Sequence, residues 1–414
     1  MTQPAAAAPG ALSHIRVLDL SRVLAGPWAA QTLGDLGAEV IKVERPGTGD
    51  DTRAWGPPYL KDRDGQDTRE SAYYLCANRN KRSVAIDFTQ PAGQALVREL
   101  AKSCDVLVEN FKVGGLAQYG LDYEALKKVN PRLIYCSITG FGQTGPYAHR
   151  AGYDFLMQGM GGLMSITGRP DGEEGAGPVK VGVALTDILT GLYASTAILA
   201  ALEARHRTGE GQWIDLALLD VQVACLANQS MNLLYGRTPG RMGNAHPNTV
   251  PYQDFPTADG YMILAIGNDG QFAAFCKAVG RPEWAADERF RSNNGRVRNR
   301  ATLVPLIKQV TVTRNTVDWI ALFETVGVPC GPINTLADVF QDPQVRSRGV
   351  EIRMDHPAAG AIPLVASPIR MSATPVQYRT APPQLGQDSD AVLQDLLGLS
   401  ASRVASMKKE GIVQ

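Results

Sequence analysis

Short apolar runs alternate with helix-spaced segments through the first half of the chain. IRVLDL, AEVIKVE, RSVAIDF, DVLVENF and RLIYCSITGFG read as strands, and their dense apolar character suits burial on both faces. Between them, PWAAQTLGDL, PAGQALVRELAKS and LDYEALKKVN carry helical spacing. Pro27 and Pro91 suit first helical positions, where the missing N–H would have been unpaired anyway. Gly37 and the pair Asn130-Pro131 mark helix ends. Strands alternating with helices predict an α/β domain with a mostly parallel sheet covered on both sides.

Further along, the texture changes. TDILTGLYASTAILAALEARHRTGEG predicts a long apolar helix ending at Gly209, preceded by a β-like run, VKVGVAL. WIDLALLDVQVACLANQSMNLLYG reads as helix leading out of the first domain. GNAHPNTVPYQDFPTADGYMILAIGN carries hairpin signals around Asp259-Gly260. DGQFAAFCKAVG and ATLVPLIKQVTVTR predict short helices of a smaller α+β domain, and a Pro-rich return follows, ending in a polar helix. The expected organisation is a large domain opening over 1–205, linkers and a small domain over 206–335, and a C-terminal return over 336–414.

Composition narrows the possibilities. A chain of 414 residues exceeds one ordinary core. Its 41 basic and 41 acidic residues leave no excess to favour nucleic acid or an anionic membrane. The start, MTQPAAAAPGAL, lacks a basic segment and a long apolar core, so it reads as a tail rather than a signal peptide. The run ILTGLYASTAILAAL from Ile188 reads as too short and too broken for a membrane span. Six scattered cysteines without C-x-x-C fit reduced packing residues of a cytoplasmic protein.

Candidate chemistry begins at the first turn. A dinucleotide site needs G-x-G-x-x-G there, yet S-R-V-L-A-G-P puts Val23 and Leu24 where glycines should be. Hydrolase signatures are missing too, with no G-x-S-x-G, no H-E-x-x-H and five histidines at no ligand spacing, so no metal is expected. Arg22, Arg45 and Lys112 each follow a strand. In a parallel sheet those strand ends share one edge, where three cations suit a phosphate-bearing ligand. Two carboxylates stand out, Asp154 in AGYDFLMQ and Asp187 where VKVGVAL meets the long helix. Thr186 or Asp187 could simply be the N-cap, and Asp154 could start a surface helix. An Asp187 carboxylate kept ionised by a helix N-terminus would equally suit a nucleophile.

The chain resembles the class III coenzyme A-transferases, the formyl-CoA and carnitine CoA-transferase type. The likeness is carried by VLDLSRVLAGPWAAQTLGDLGAEVIKVERPGTGDDTRAWGPPY, NRNKRSVAIDF, DVLVENFKVG, LDYEALKKVNPRLIYCSITGFGQTGPY, GYDFLMQGMGGLMSITG and RHRTGEGQWIDLALLD. It continues into GVPCGPINTLADVFQDPQV and PQLGQDSDAVL. It implies a Rossmann-like large domain, a small inserted domain and a homodimer whose ring-like subunits interlace. It also implies that coenzyme A enters as a substrate, with no permanently bound cofactor. Arg22, Val23, Leu24 and Ala25 match the loop at the thioester end, where formyl-CoA enzymes have Gln at the Leu24 position. Arg45, Ile86, Asp87, Asn110, Phe111, Lys112 and Tyr153 fall in CoA-contacting segments. Gln118 departs from an Arg found in many members, which would leave a phosphate contact to Lys112.

Asp187 matches the family's catalytic aspartate. The implied route runs through mixed anhydrides and an aspartyl-CoA thioester, carrying CoA from an acyl-CoA to a carboxylic acid. The same fold hosts α-methylacyl-CoA racemases, which use a His–Asp pair where this chain has Tyr153-Asp154. Tyrosine makes a poor base near neutral pH. A non-catalytic CoA-binding relative is the third reading, opposed by retention of Asp187. GNAHPNTVPYQ, GNDGQF and NNGRVRNR are similar to the dicarboxylate branch, of succinyl-CoA:glutarate type. Arg53, Asn244 and His246 are candidates for the distal acid group of a dicarboxylate or its sulfinate analogue, and Asp154 is a further candidate for substrate contact.

Overall fold

A computed structural model describes residues 9–414. Most of the tail sequence MTQPAAAAPGAL therefore lies outside the described residues. The chain divides into two compact units. One holds the described residues up to Leu163 together with Lys180–Arg237 and Arg348–Gln414; the other holds Met164–Val179 and Thr238–Ser347.

The first unit is built on six strands: β1 (Arg16–Asp19), β2 (Glu39–Glu44), β3 (Lys81–Ala85), β4 (Val106–Glu109), β5 (Ile134–Thr139) and β6 (Trp213–Ala217). They lie in the order β3-β2-β1-β4-β5-β6, and every pairing is parallel. That is the doubly wound order, whose direction of winding reverses between β1 and β4 and leaves a crevice beyond their carboxyl ends.

Side chains alternate between two apolar layers. Leu18, Ile41, Leu107 and Tyr135 face one core with Leu96, Leu100, Leu126, Val392 and Val404. Val17, Val40, Val106, Val108, Ile134 and Cys136 face another with Ala29, Leu33, Ala194 and Ile198. The first layer is covered by α2 (Pro91–Lys102) and α3 (Tyr123–Val129), the second by α1 (Ala25–Asp35), α4 (Asp154–Met160), α5 (Leu185–Thr208) and α6 (Leu218–Ala224). The C-terminal segment, with α10 (Ser389–Leu397) and α11 (Ala401–Lys409), returns to the sheet, where the Asp87 N–H donates to the Ile412 carbonyl at 2.8 Å.

Three local expectations need correcting. WIDLA is not helix but edge strand β6, paired from Tyr135↔Trp213 to Thr139↔Ala217; helix begins only at Leu218. Its alternating pattern suits an edge strand with one wet face. VKVGVAL is not a strand: the Val179 N–H donates to the Thr167 carbonyl and the Val181 N–H to the Gln158 side chain, so neither donor enters a strand ladder. Finally, α5 is long and apolar enough by length and composition to cross a membrane, although one face of it, including Ala194, Ile198 and Leu202, is core.

The second unit carries a three-stranded sheet in which β7 (Tyr252–Pro256) and β8 (Tyr261–Ala265) form the expected antiparallel hairpin and β9 (Cys330–Pro332) adds to β8. It packs on α7 (Asp269–Ala278), α8 (Arg300–Thr311) and α9 (Thr316–Thr325) around Phe255, Phe275, Trp319 and Phe323.

Candidate active site

A cavity of about 590 Å³ opens outside the carboxyl ends of β1, β2, β3, β4 and β5. All twelve residues expected for catalysis and CoA contact line it: Arg22, Val23, Leu24, Ala25, Arg45, Ile86, Asp87, Asn110, Phe111, Lys112, Tyr153 and Asp187. Gln118 lines it as well, with its amide donated to the Gly115 carbonyl. The volume lies in the range of ligand sites.

The loop after β1 is held in an unusual shape. Val23 has φ 71, a left-handed conformation that a β-branched residue adopts only under constraint. The constraint is visible. The Val23 N–H donates to Asp50, while Asn110 clamps Arg22, accepting from its N–H at 2.9 Å and donating to its carbonyl at 2.7 Å.

Two fully buried lysines secure the ends of the same loop. Lys42 donates to the Ser21 carbonyl at 2.8 Å and to Asp50 at 2.9 Å. Lys81 donates to the Pro27 carbonyl at 2.9 Å, to Asp19 at 2.9 Å and to Asn78 at 3.0 Å. Neither lysine had been singled out from sequence. For Lys42, a lysine inside the otherwise apolar run AEVIKVE was the signal available; Lys81, flanked by Asn80 and Arg82, gave none.

Asp187 belongs to the first turn of α5, which starts at Leu185 after an uncapped Ala184. The N-cap reading of Thr186 or Asp187 is therefore wrong. Nor is the Asp187 carboxyl held in the usual carboxylate range. Burial, then the charge of Asp154, push its carboxyl up to about 7, and no described residue hydrogen-bonds it. Gly191, one turn on, lies against α1: a Cβ there would stand 2.7 Å from the Ala25 carbonyl and 3.0 Å from Trp28. That close crossing brings the Asp187 turn up to the Val23–Ala25 loop. Tyr73, also missed from sequence, stands within the electrostatic reach of Asp187, and burial together with that charge pushes its hydroxyl up to about 12.

Cations surround the cavity. Arg22 is paired with Asp51 at 2.9 Å, and its guanidinium lies 5.4 Å from the centre of the Phe111 ring. Arg150, a lining residue that sequence reasoning missed, lies over the rings of Phe141 and Tyr147 at 5.1 and 4.7 Å.

The acceptor candidates fall elsewhere. Arg53 is buried and does not line the cavity; it bonds Glu44 at 2.7 and 2.8 Å, Glu70 at 3.1 Å and the Tyr74 hydroxyl at 2.6 Å. Its role is to neutralise buried carboxylates. Asp154 does not line the cavity either; its carboxylate accepts the Thr186 N–H. Asn244 and His246 lie in the second unit. There, the His246 ring packs 5.2 Å from that of Tyr252, and burial plus Arg300 hold its pKa below the usual value.

Known proteins share sequence and fold with this chain. Residues 12–389 match the family model described as CoA-transferase family III. The succinate–glutarate CoA-transferase of Agrobacterium fabrum is 54% identical over 386 residues, covering 93% of this chain and 95% of that one. The mouse succinyl-CoA:glutarate CoA-transferase is 47% identical, covering 97% and 90%. A crystal structure of a CAIB/BAIF family protein from Brucella suis shares 51% identity with a TM-score of 0.82, over 94% of this chain and 100% of that one. The chain belongs to CoA-transferase family III.

Proposed function

We propose that this enzyme moves coenzyme A from succinyl-CoA to a dicarboxylate such as glutarate, with Asp187 as the nucleophile. The observation that carries the reading is a buried carboxylate facing a cation-lined cavity at the switch point of a parallel sheet. The names of the Agrobacterium and mouse relatives support the choice of substrates. Coenzyme A comes and goes as a substrate, and no resident cofactor is required.

In the proposed route one Asp187 oxygen attacks the thioester carbon, the C–S bond breaks, and CoA thiolate leaves a mixed anhydride. The thiolate then attacks the Asp187 carbonyl carbon, releasing the donor acid and leaving an aspartyl-CoA thioester. The acceptor carboxylate attacks that thioester, again expelling thiolate. The thiolate returns to the acceptor's acyl carbon and frees Asp187. Activation is conserved because every step exchanges one acyl bond for another. Unpaired N–H groups at the start of α1, around Leu24 and Ala25, are suited to the tetrahedral oxyanions. Arg45, Lys112 and Arg150 are proposed to meet CoA phosphates, with Lys112 standing in at the Gln118 position.

We further infer an interlaced homodimer in the cytoplasm. Exposed apolar side chains on the first unit, among them Phe155, Leu192, Tyr193, Leu234 and Tyr235, support burial against a second copy.

The deciding experiment mixes protein, succinyl-CoA and a panel of acids and follows new CoA esters. Glutaryl-CoA formation, lost in Asp187→Ala, is expected. Full transfer by Asp187→Ala, or α-proton exchange without transfer, would replace the reading.

A further inference from the structure

The turn that carries Asp187 is held from outside its own helix. Ala184 precedes α5 and offers no side-chain oxygen to its free N–H groups. Asp154 serves in its place: its Oδ1 accepts the Thr186 N–H at 2.8 Å. Its Oδ2 accepts from Gln158 Nε2, one turn along α4, at 2.8 Å. Gln158 is fully buried, and its Oε1 accepts the Val181 N–H at 2.8 Å. Two side chains on one face of α4 thus grip both ends of the segment 181–186. Gln222 on α6 completes the hold by accepting the Thr186 hydroxyl at 2.7 Å.

Capping needs only an acceptor oxygen, and an asparagine would serve as well. A carboxylate adds something more, a negative charge beside the nucleophile's own. The titratable groups facing Asp187 are Asp154 from α4 and Tyr73 from the turn Ala72–Leu75. Tyr73 stays neutral, and among the described residues no cation offsets the two carboxylates at Asp187. Acylation removes the same charge that protonation removes. Surroundings that disfavour the Asp187 anion therefore favour its neutral acyl derivatives.

We propose that Asp154 is a positioning residue for this reaction: it caps the nucleophile's helix, and its charge biases Asp187 toward the acylated state. The inference rests on Asp187 being the nucleophile. Asp154→Asn keeps an oxygen for the Thr186 N–H and removes the charge, whereas Asp154→Glu keeps the charge and displaces the oxygen. Two quantities are read: the acidic limb of kcat against pH, and the fraction of Asp187 found as a CoA thioester by mass spectrometry after succinyl-CoA alone. In Asp154→Asn the limb is expected to move down by about one pH unit and the trapped fraction to fall several-fold. In Asp154→Glu the limb is expected to stay while kcat drops. An Asp154→Asn protein with wild-type limb and trapping, or an Asp154→Glu limb that moves, overturns the proposal, and the second decides alone should the first variant not fold. A wild-type protein that traps nothing on Asp187 overturns the nucleophile itself. Wild-type trapping with matching variants removes only the role of Asp154.

Discussion

Gly191 and Ala25 touch across the crossing of α5 and α1, with no room at Gly191 for a side chain: a Cβ would stand 2.7 Å from the Ala25 carbonyl. Gly191→Val is expected to push the helices apart, costing about 1–3 kcal/mol. Because Asp187 stands one turn away, kcat should fall together with the melting temperature. A thermal melt paired with steady-state kinetics checks both.

Asp187 makes a pH prediction with a definite sign. Its carboxyl goes from 3.8 to about 7 on folding, so the folded state binds an extra proton between those values. Stability on this account is unaffected below 3.8, falls as pH rises through the window, and the full penalty stands above 7. The rise is equivalent to roughly 4 kcal/mol. Asp187→Asn should therefore be inactive yet harder to unfold in urea at pH 8, with the difference vanishing toward pH 4. Activity of the wild type should decline as pH falls below 7.

Lys42 and Lys81 each neutralise a buried aspartate. Lys42→Met or Lys81→Met would leave Asp50 or Asp19 without its partner, at a cost of about 3–5 kcal/mol. The released loop should also raise KM for the acyl-CoA. Urea titration and kinetics at 15 °C separate the two effects.

Arg150→Gln removes a guanidinium from the cavity wall without disturbing any ion pair of its own. KM for succinyl-CoA should rise about 10-fold while KM for the acid changes little, since charge-assisted contacts to phosphate carry the effect. A weaker salt dependence of the acyl-CoA KM should accompany the change.

Much of the sheet was legible because dense apolar strands mark themselves locally, as does the Pro91-started helix α2; α1 instead begins at Ala25, two residues before the Pro27 expected to open it. Their end positions then put Arg22, Arg45 and Lys112 on one edge without further information. What local pattern cannot carry is the company a residue keeps across the chain. VKVGVAL looks like a strand until Gln158 takes one of its donors, and Asp187 looks like a cap until Asp154 is seen capping in its stead. Arg53 reads as a candidate cation for the acceptor acid, yet Glu44 and Glu70 meet it in the interior. Tyr73 gains meaning only from Asp187, distant in sequence, and Arg150 only from the cavity it lines.

The buried lysines have one more consequence for an enzyme that handles activated acyl groups. A thioester will acylate any unprotonated amine it can reach, and here both amines beneath the loop are sealed off and engaged with carboxylates and carbonyls. Of the lysines at the cavity wall, Lys112 is solvent-exposed, so self-inflicted chemical damage would be written there first.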